Sequence, residues 1–219
     1  MREVRLVIFD CDGVLVDSEP VSSAVLAEAL TTVGLPMSAE EAQARYRGML
    51  LAEIGADVER RVGGPLPEGF WERYEANRDR SFDCSLEPIE GAGEAVRAVA
   101  AAGIGVCVAS QGKRAKTELT LGLTGLRDLF AEDAVFSAYE VPRGKPFPDL
   151  FLHAAATMRT APALCAVVED TLIGIKAAVA AGMRAVGLAT EADVGAMREL
   201  GAVTISRLSE LAAAIHISA

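Results

Sequence analysis

The stretch VRLVIFDCDG, residues 4–13, passes from a short apolar run directly into two aspartates and a glycine. Residues 4–9 are rich in the aliphatic and aromatic side chains that favour a buried strand, and the polar residues after them end that pattern. In open α/β sheets, ligands bind beyond the carboxyl ends of the strands. The stretch therefore predicts the first strand of such a sheet and makes Asp10 and Asp12 candidate functional residues.

A strand–helix alternation resumes after residue 87 and continues to the end of the chain. Apolar strands are predicted at residues 104–109, 134–137, 165–168 and 184–188, with a weak further strand near the C-terminus and helical patterns between them. Apolar strands that alternate with helices favour a parallel sheet covered by helices on both faces. The first strand has to join this sheet in order to be buried.

The segment between these two parts is helical throughout in its periodicity. Ser38 and Glu41 have the spacing of a capping box, and Gly63-Gly64-Pro65 ends a helix. The last helix of this block is predicted at about residues 70–80, and Trp71 and Tyr74 in it are predicted to lie in the core of the block. The predicted architecture is an α/β core of residues 1–16 and 87–219, with an all-helical cap of residues 17–86 inserted after the first strand.

Composition excludes several classes of protein. The chain has 219 residues, 51% of them hydrophobic and 24% charged, so it is not disordered. Its formal net charge is −10 and its basic residues form no dense patch, which argues against a nucleic-acid partner. The apolar runs are too short to span a bilayer, and the start lacks a signal-peptide pattern. We expect a cytoplasmic monomer or weak dimer without a membrane partner.

The cysteines and histidines point to no metal site of their own. Two histidines cannot form a multi-histidine centre, and His153 is predicted to be packed or at the surface. The four cysteines, at positions 11, 84, 107 and 165, include no Cys-x-x-Cys pair. Cys107 and Cys165 lie inside apolar runs and are predicted to be buried in the core, where cysteine behaves as a small hydrophobe.

Polar residues follow four of the predicted strands. These are Asp10 and Asp12, then Ser110 with Gln111-Gly112-Lys113, then Lys145-Pro146, and finally Glu169-Asp170. Taken singly, each has an ordinary explanation: a turn at Asp12-Gly13, a helix N-cap at Ser110, a solvated lysine, and acidic residues complementing a helix dipole. Since all four occur at strand ends on one edge of the sheet, a common site is the better interpretation.

The residue types at this edge suit one reaction. Carboxylates are the ligands that Mg²⁺ prefers, and a carboxylate can also attack a phosphoryl group to give an aspartyl-phosphate. A second carboxylate two residues on can exchange protons with the leaving oxygen and with water. Ser110 and the amides at the following helix start can hold phosphate oxygens, and Lys145 can neutralise charge. The set predicts metal-assisted phosphoryl transfer to or from a phosphorylated small molecule.

These four motifs resemble those of the haloacid dehalogenase superfamily. Residues 10–19 and 169–178 are similar, more narrowly, to the β-phosphoglucomutase-like phosphatases, and residues 82–93 and 136–139 to bacterial 6-phosphogluconate phosphatases. The resemblance covers the whole chain, and four motifs in order after four strands make it specific. It implies a Rossmann-like core with a parallel sheet flanked by helices, a small helical cap, and Mg²⁺-dependent hydrolysis of small phosphorylated sugars or sugar acids.

The resemblance also implies a role for each core residue. Asp10 is the expected nucleophile and a metal ligand, and Asp12 is the expected acid/base with its backbone carbonyl on the metal. Ser110, the Gln111 amide and Lys145 are expected to bind phosphate. Asp170 completes the metal site, with Glu169 a ligand or a neighbour of the ligands. The Lys145-Pro146 peptide is often cis in this family.

Cap residues are expected to set specificity. The positions that in the family face the substrate are occupied here by Asp17, Ser18, Ser22, Arg47 and Lys113. Ser22 and Leu51 stand where β-phosphoglucomutases carry a histidine and an arginine, which favours hydrolysis over mutase chemistry. The alternatives are a phosphoglucomutase-type phosphotransferase, a dehalogenase that needs no metal, and a binding module that is phosphorylated without turnover. The carboxylates of Asp12 and Asp170 argue against the dehalogenase, and the intact acid/base Asp12 argues against the binding module.

Overall fold

The computed structural model describes residues 3–216, except for the side chain of Cys84. Their contacts divide the chain into two compact units, and each is described by itself. The first comprises the residues up to Val16 and from Pro88 onward, and the second is the continuous segment Asp17–Glu87. The sequence-based boundaries of the cap, 17–86, end one residue earlier.

A parallel sheet forms the centre of the first unit, as predicted. Its strand order is β3-β2-β1-β4-β5-β6, and every neighbouring pair is parallel. The strands are β1 (Leu6–Phe9), β2 (Gly105–Ser110), β3 (Val135–Ser137), β4 (Cys165–Glu169), β5 (Arg184–Leu188) and β6 (Val203–Ile205). The weak C-terminal strand is thus the edge strand β6. Every residue of β1 and β4 is buried, which explains why both read as unbroken apolar runs.

The register of the central strands decides where the polar loops meet. Phe9, the last residue of β1, pairs with Val108 of β2 and with Val168 of β4. Asp10 therefore follows the middle strand, between the ends of its two neighbours. This is the position where the strand order reverses direction, and such a point leaves a crevice for a ligand in doubly wound sheets.

The regular structure of the second unit consists of helices, and the sheet of the first unit is flanked by that unit's own helices. The second unit contains α1 (Glu19–Thr32), α2 (Ala39–Tyr46), α3 (Leu51–Val62) and α4 (Phe70–Ser85). The first contains α5 (Ala92–Ala101), α6 (Arg114–Leu123), α7 (Asp149–Thr157), α8 (Leu172–Ala180), α9 (Val194–Glu199) and α10 (Leu211–Ala214). No helix within residues 3–216 has the length and apolar character needed to cross a membrane.

The second unit has its own apolar core, and it agrees with the sequence patterns. Tyr74 is buried in a cluster against which Trp71 packs, as predicted. The capping box is present: Ser38 Oγ accepts from the Glu41 amide at 3.2 Å, and Glu41 Oε2 accepts from the Ser38 amide at 2.8 Å. The sequence predicted that α4 ends at Arg80, but the helix continues because Phe82 is buried on its next turn.

The predictions for isolated residues of the first unit also agree with the structure. Cys107 and Cys165 are buried in β2 and β4. His153 lies exposed on α7 with its ring edge-to-face against Phe136, at 5.5 Å between centroids. Neither observation gives these residues a chemical role.

Candidate active site

The Asp10 carboxylate lies at the end of the central strand and is almost fully buried. Its backbone amide continues the parallel ladder by donating to the Val168 carbonyl at 2.9 Å, which fixes the direction of the residue. Only 6% of Asp10 is exposed, and its Oδ1 lies 2.6 Å from the Nζ of Lys145. A residue 135 positions away along the chain thus supplies its counter-charge.

Lys145 supplies the positive charge of the buried cluster that it forms with Asp10 and Glu169. Its Nζ is 2.6 Å from Asp10 Oδ1 and 2.6 Å from Glu169 Oε1, and the residue is 4% exposed. The ammonium also lies 5.1 Å from the centroid of the Phe151 ring, a cation–π distance. The Lys145-Pro146 peptide is cis, as the resemblance implied.

The side chain of Gln111 holds the backbone on both sides of Lys145. Gln111 Oε1 accepts from the Lys145 amide at 3.0 Å, and Gln111 Nε2 donates to the Lys145 carbonyl at 3.3 Å. A Cβ at Gly144 would come within 2.9 Å of that side-chain amide, so the residue before Lys145 has to be small. The sequence assigned Gln111 only a backbone contact with phosphate and did not predict this role.

Glu169 ends β4 with its carboxylate fully buried and fully used. Oε1 accepts a hydrogen bond from the Nζ of Lys145. Oε2 accepts from the Asp170 amide at 3.0 Å, the Thr171 amide at 2.9 Å and the Thr171 hydroxyl at 2.8 Å. A Cβ at Gly174 would overlap this carboxylate, which explains the glycine in the first turn of α8. Buried charges persist only when they are paired and hydrogen-bonded, and Glu169 meets both conditions.

Electrostatics at this edge are dominated by burial and by crowded carboxylates. Burial raises the pKa of the Asp10 carboxyl well above its ordinary value of 3.8, and Lys145 only partly offsets this. The neighbouring carboxylates of Glu169, Asp170 and Asp12 raise the same pKa further. Burial on its own lowers the pKa of Lys145, but the charges of Asp10 and Glu169 outweigh it, so the pKa of the ammonium lies above 10.5.

Asp10, Glu169 and Asp170 could hold a metal ion. Each offers one carboxylate oxygen, all within 4.8 Å of one another, and all three residues are buried. Three carboxylates against one ammonium leave an excess of negative charge, which a hard divalent cation with oxygen ligands would balance. The backbone of Gly13, with a φ of +80°, lies close to the Asp170 carboxylate. A Cβ at this position would overlap that carboxylate, so glycine is required there. The donor set fits Mg²⁺.

Ser110 is the last residue of β2 and is completely buried at the same edge. Its hydroxyl accepts from the Gly112 amide at 3.0 Å, whereas the N-cap of α6 is Lys113. The explanation of Ser110 as a simple helix N-cap is therefore wrong. Lys113 lies with its Nζ 5.9 Å from the centroid of the Tyr139 ring, which follows β3. The phosphate-binding roles of Ser110 and Lys113 stay predictions.

Asp12 pairs with a residue that sequence reasoning missed. The Nζ of Lys116 donates to Asp12 Oδ1 in a close ion pair, and Lys116 is buried although its charge suggests a surface position. The signal in the sequence was weak: Lys116 lies four residues before the buried Thr120 and therefore on the same face of α6. An ammonium on the buried face of a helix is uncommon unless it has a partner.

Arg47 belongs to the other unit. It caps the C-terminal end of α2, where its amide donates to the Gln43 carbonyl at 3.0 Å. Its expected contact with substrate stays a prediction. The structure thus brings together Asp10, Lys145, Glu169 and Asp170, with Gln111 holding Lys145 and Lys116 holding Asp12.

Comparison with known proteins identifies the family. Residues 4–182 match the family described as haloacid dehalogenase-like hydrolase. The chain belongs to this family. It is accordingly an enzyme of the hydrolase class, as the resemblance of its four motifs implied.

Individual relatives agree with this assignment. The chain is 36% identical to the 6-phosphogluconate phosphatase of Escherichia coli K12 over 184 residues, which is 84% of this chain and 81% of that protein. It is 30% identical to hexitol phosphatase B of the same organism over 222 residues, 97% and 96% of the two chains. Among solved structures, a haloacid dehalogenase-like protein from Agrobacterium tumefaciens is 34% identical, with a TM-score of 0.79 and coverage of 97% and 98%.

Proposed function

We propose that this hydrolase is a Mg²⁺-dependent phosphatase that acts on small phosphorylated sugars or sugar acids through an aspartyl-phosphate on Asp10. The observation that carries the proposal is the buried cluster in which one ammonium, Lys145, lies 2.6 Å from Asp10 and 2.6 Å from Glu169 beside Asp170. Such a cluster combines a nucleophile, a positive charge for phosphate oxygens and a carboxylate set for a cation.

In the first half-reaction, a carboxylate oxygen of Asp10 attacks phosphorus while the bond from phosphorus to the sugar oxygen breaks. Asp12 donates a proton to the departing sugar oxygen, so the sugar leaves as a neutral alcohol. Lys145 and the Ser110 hydroxyl bind the oxygens of the transferred phosphoryl group. Because Asp10 is held by its backbone ladder and by Lys145, it needs little reorganisation to attack.

In the second half-reaction, water attacks the phosphorus of the aspartyl-phosphate and Asp12 takes the proton of that water. The bond from phosphorus to the Asp10 oxygen breaks, inorganic phosphate leaves, and the Asp10 carboxylate is restored. The sum is the hydrolysis of one phosphate monoester by one water.

The residues that would hold Mg²⁺ are Asp10 and Asp170, with the backbone carbonyl of Asp12 and with Glu169 as ligand or neighbour. Bound there, Mg²⁺ would supply positive charge that balances the negative charge of the phosphoryl oxygens. It would also offset the burial and the crowded carboxylates that raise the pKa of Asp10. Ionised Asp10 is the form that attacks.

The substrate class is inferred from the relatives. Two of these relatives align over most of this chain. They are named 6-phosphogluconate phosphatase, after a phosphorylated sugar acid, and hexitol phosphatase B. Both names denote small polyhydroxylated compounds. Hydrolysis is favoured over transfer to a second sugar because Ser22 and Leu51 replace the histidine and arginine expected in a mutase.

The test is phosphate release from a panel of sugar phosphates, with Mg²⁺ and with excess EDTA. The panel contains 6-phosphogluconate, glucose 6-phosphate, 2-deoxyglucose 6-phosphate and β-glucose 1-phosphate, with p-nitrophenyl phosphate as a reporter of the core chemistry. We expect release that requires Mg²⁺ and is lost in Asp10→Asn. Normal turnover in Asp10→Asn would refute the mechanism, and isomerisation of glucose 1-phosphate without phosphate release would favour the mutase.

A further inference from the structure

We infer that Lys116 is a positioning residue for Asp12, holding its carboxylate in the orientation that both proton transfers require. The inference rests on the proposed function, since it assumes that Asp12 is the acid/base. It adds to that function a residue of α6 and a consequence for the second half-reaction.

Lys116 is buried although it carries a charge. Only 7% of the residue is exposed, and its Nζ donates to Asp12 Oδ1 across 104 positions of the chain. Taking an ammonium out of water is costly, and a paired carboxylate with good geometry is what offsets the cost. The side chain of Asp12 keeps 22% exposure, so it is open to water while one of its oxygens is held. Partial exposure is what a group that exchanges protons with water and substrate needs.

A second contact one helical turn further on fixes the same loop. The Sγ of Cys11 and the Oγ1 of Thr120 are 3.7 Å apart in a buried hydrogen bond. Lys116 and Thr120 are four residues apart and therefore lie on one face of α6, opposite the consecutive loop residues 11 and 12. The helix α6 thus contacts the loop after β1 at two successive residues, Cys11 and Asp12.

Loss of the Lys116 ammonium would therefore release the Asp12 carboxylate without removing it. A misplaced acid/base slows steps that require proton transfer and spares steps that do not. With p-nitrophenyl phosphate the leaving group departs without a proton, so phosphorylation of Asp10 should continue. Hydrolysis of the aspartyl-phosphate still needs a base for water, so the phosphorylated enzyme should accumulate.

The experiment compares Lys116→Met with the wild type, with Mg²⁺ present, on p-nitrophenyl phosphate and on 6-phosphogluconate. We expect Lys116→Met to lower kcat by about 10- to 100-fold, the range for a displaced catalytic group. A burst of about one p-nitrophenolate per active site should precede the slow steady state, with a matching phosphate adduct in the intact mass. Lys116→Arg keeps the cation and should restore part of kcat and diminish the burst.

Controls separate positioning from folding. Lys176→Met makes the same chemical change at an exposed position of α8 and should behave like the wild type. A merely structural role for Lys116 predicts that burst and steady state fall together, in step with the folded fraction measured by circular dichroism, and this result would overturn the inference. Wild-type kinetics in Lys116→Met would overturn it too, while leaving the proposed function intact. If the wild type releases no p-nitrophenolate, the proposed function fails and the inference falls with it.

Discussion

Alanine at Gly174 is expected to destabilise the core, although alanine favours helices and Gly174 lies in the first turn of α8. The reason is the Glu169 carboxylate, which a Cβ at this position would overlap at its carboxyl carbon and at both oxygens. Glu169 is 0% exposed, and protein interiors around such side chains are close-packed. Either the carboxylate or the helix has to shift.

The magnitude follows from the contacts that such a shift would lengthen. Glu169 has four polar partners, Lys145 at 2.6 Å, the Asp170 amide at 3.0 Å, and the Thr171 amide and hydroxyl at 2.9 and 2.8 Å. A movement of roughly 1 Å takes hydrogen bonds of this length beyond their useful range. Bonds to a charged group contribute about 1.5–3 kcal/mol each, so the loss of two costs about 3–6 kcal/mol. The helix propensity of alanine returns about 1 kcal/mol. We expect a net loss of about 2–5 kcal/mol.

Thermal unfolding checks this expectation, with Gly122→Ala as the matched control. Gly122 lies exposed in α6, and nothing lies within 4 Å of a Cβ there, so alanine should stabilise the protein by about 0.5–1 kcal/mol. At about 2–4 °C per kcal/mol for a chain of this size, Gly174→Ala should lower Tm by about 4–20 °C. Gly122→Ala should raise Tm by about 1–4 °C. Equal, small increases in Tm for both variants would refute the argument from the Glu169 overlap.

Three further predictions follow from the remaining contacts. Lys145→Met removes the counter-charge of a buried cluster, which costs about 3–5 kcal/mol. A bound Mg²⁺ would replace part of that positive charge, so the variant should lower Tm by more in EDTA than in Mg²⁺. Equal losses of Tm in both buffers would contradict this. Gln111→Leu keeps the backbone amide but removes both side-chain hydrogen bonds to Lys145, so kcat/KM should fall by about 10-fold. Two neutral hydrogen bonds contribute about 1–3 kcal/mol together, so Tm should also fall by about 2–12 °C. An unchanged kcat/KM would show that these two bonds do not position Lys145. In the second unit, hydrogen bonding to Arg45 outweighs desolvation and lowers the pKa of Asp57 from 3.8 to about 2. The contribution of ionised Asp57 to the free energy of unfolding is therefore present above pH 3.8 and is lost as the pH falls toward 2. Asp57→Asn should remove that part of the pH dependence of Tm, and an unchanged acid limb would show that Asp57 contributes nothing there.

Local patterns were sufficient for most of the architecture. The strands at residues 4–9 and 165–168 were recognisable because both faces of each strand are buried in the centre of the sheet, which leaves a run of apolar residues. The capping box of α2 was recognisable because its two partners are three residues apart. The end of α4 was predicted wrongly, since the burial of Phe82 depends on neighbours that are not local in sequence.

The grouping of the four motifs also needed little beyond the sequence. Parallel strands place their carboxyl ends at one edge, so residues after four strands converge whatever their separation along the chain. This is why Asp10 and Lys145 could be proposed for one site although 135 positions separate them. The chemistry followed from the residue types, because carboxylates bind hard cations and can attack a phosphoryl group, and a lysine neutralises phosphate charge.

The sequence by itself determined the alternation of strands and helices, the inserted helical segment, the four motifs and hence the family. Only the tertiary structure decided which atoms those residues contact. It paired Asp12 with Lys116, made the Gln111 side chain hold Lys145, and left room for nothing larger than glycine at positions 13 and 174. The physical reason is that the periodicity of apolar residues along a helix or strand reflects only which side of that element is buried. A contact between side chains on different elements depends on the packing of both, and leaves no spacing in the sequence to be recognised.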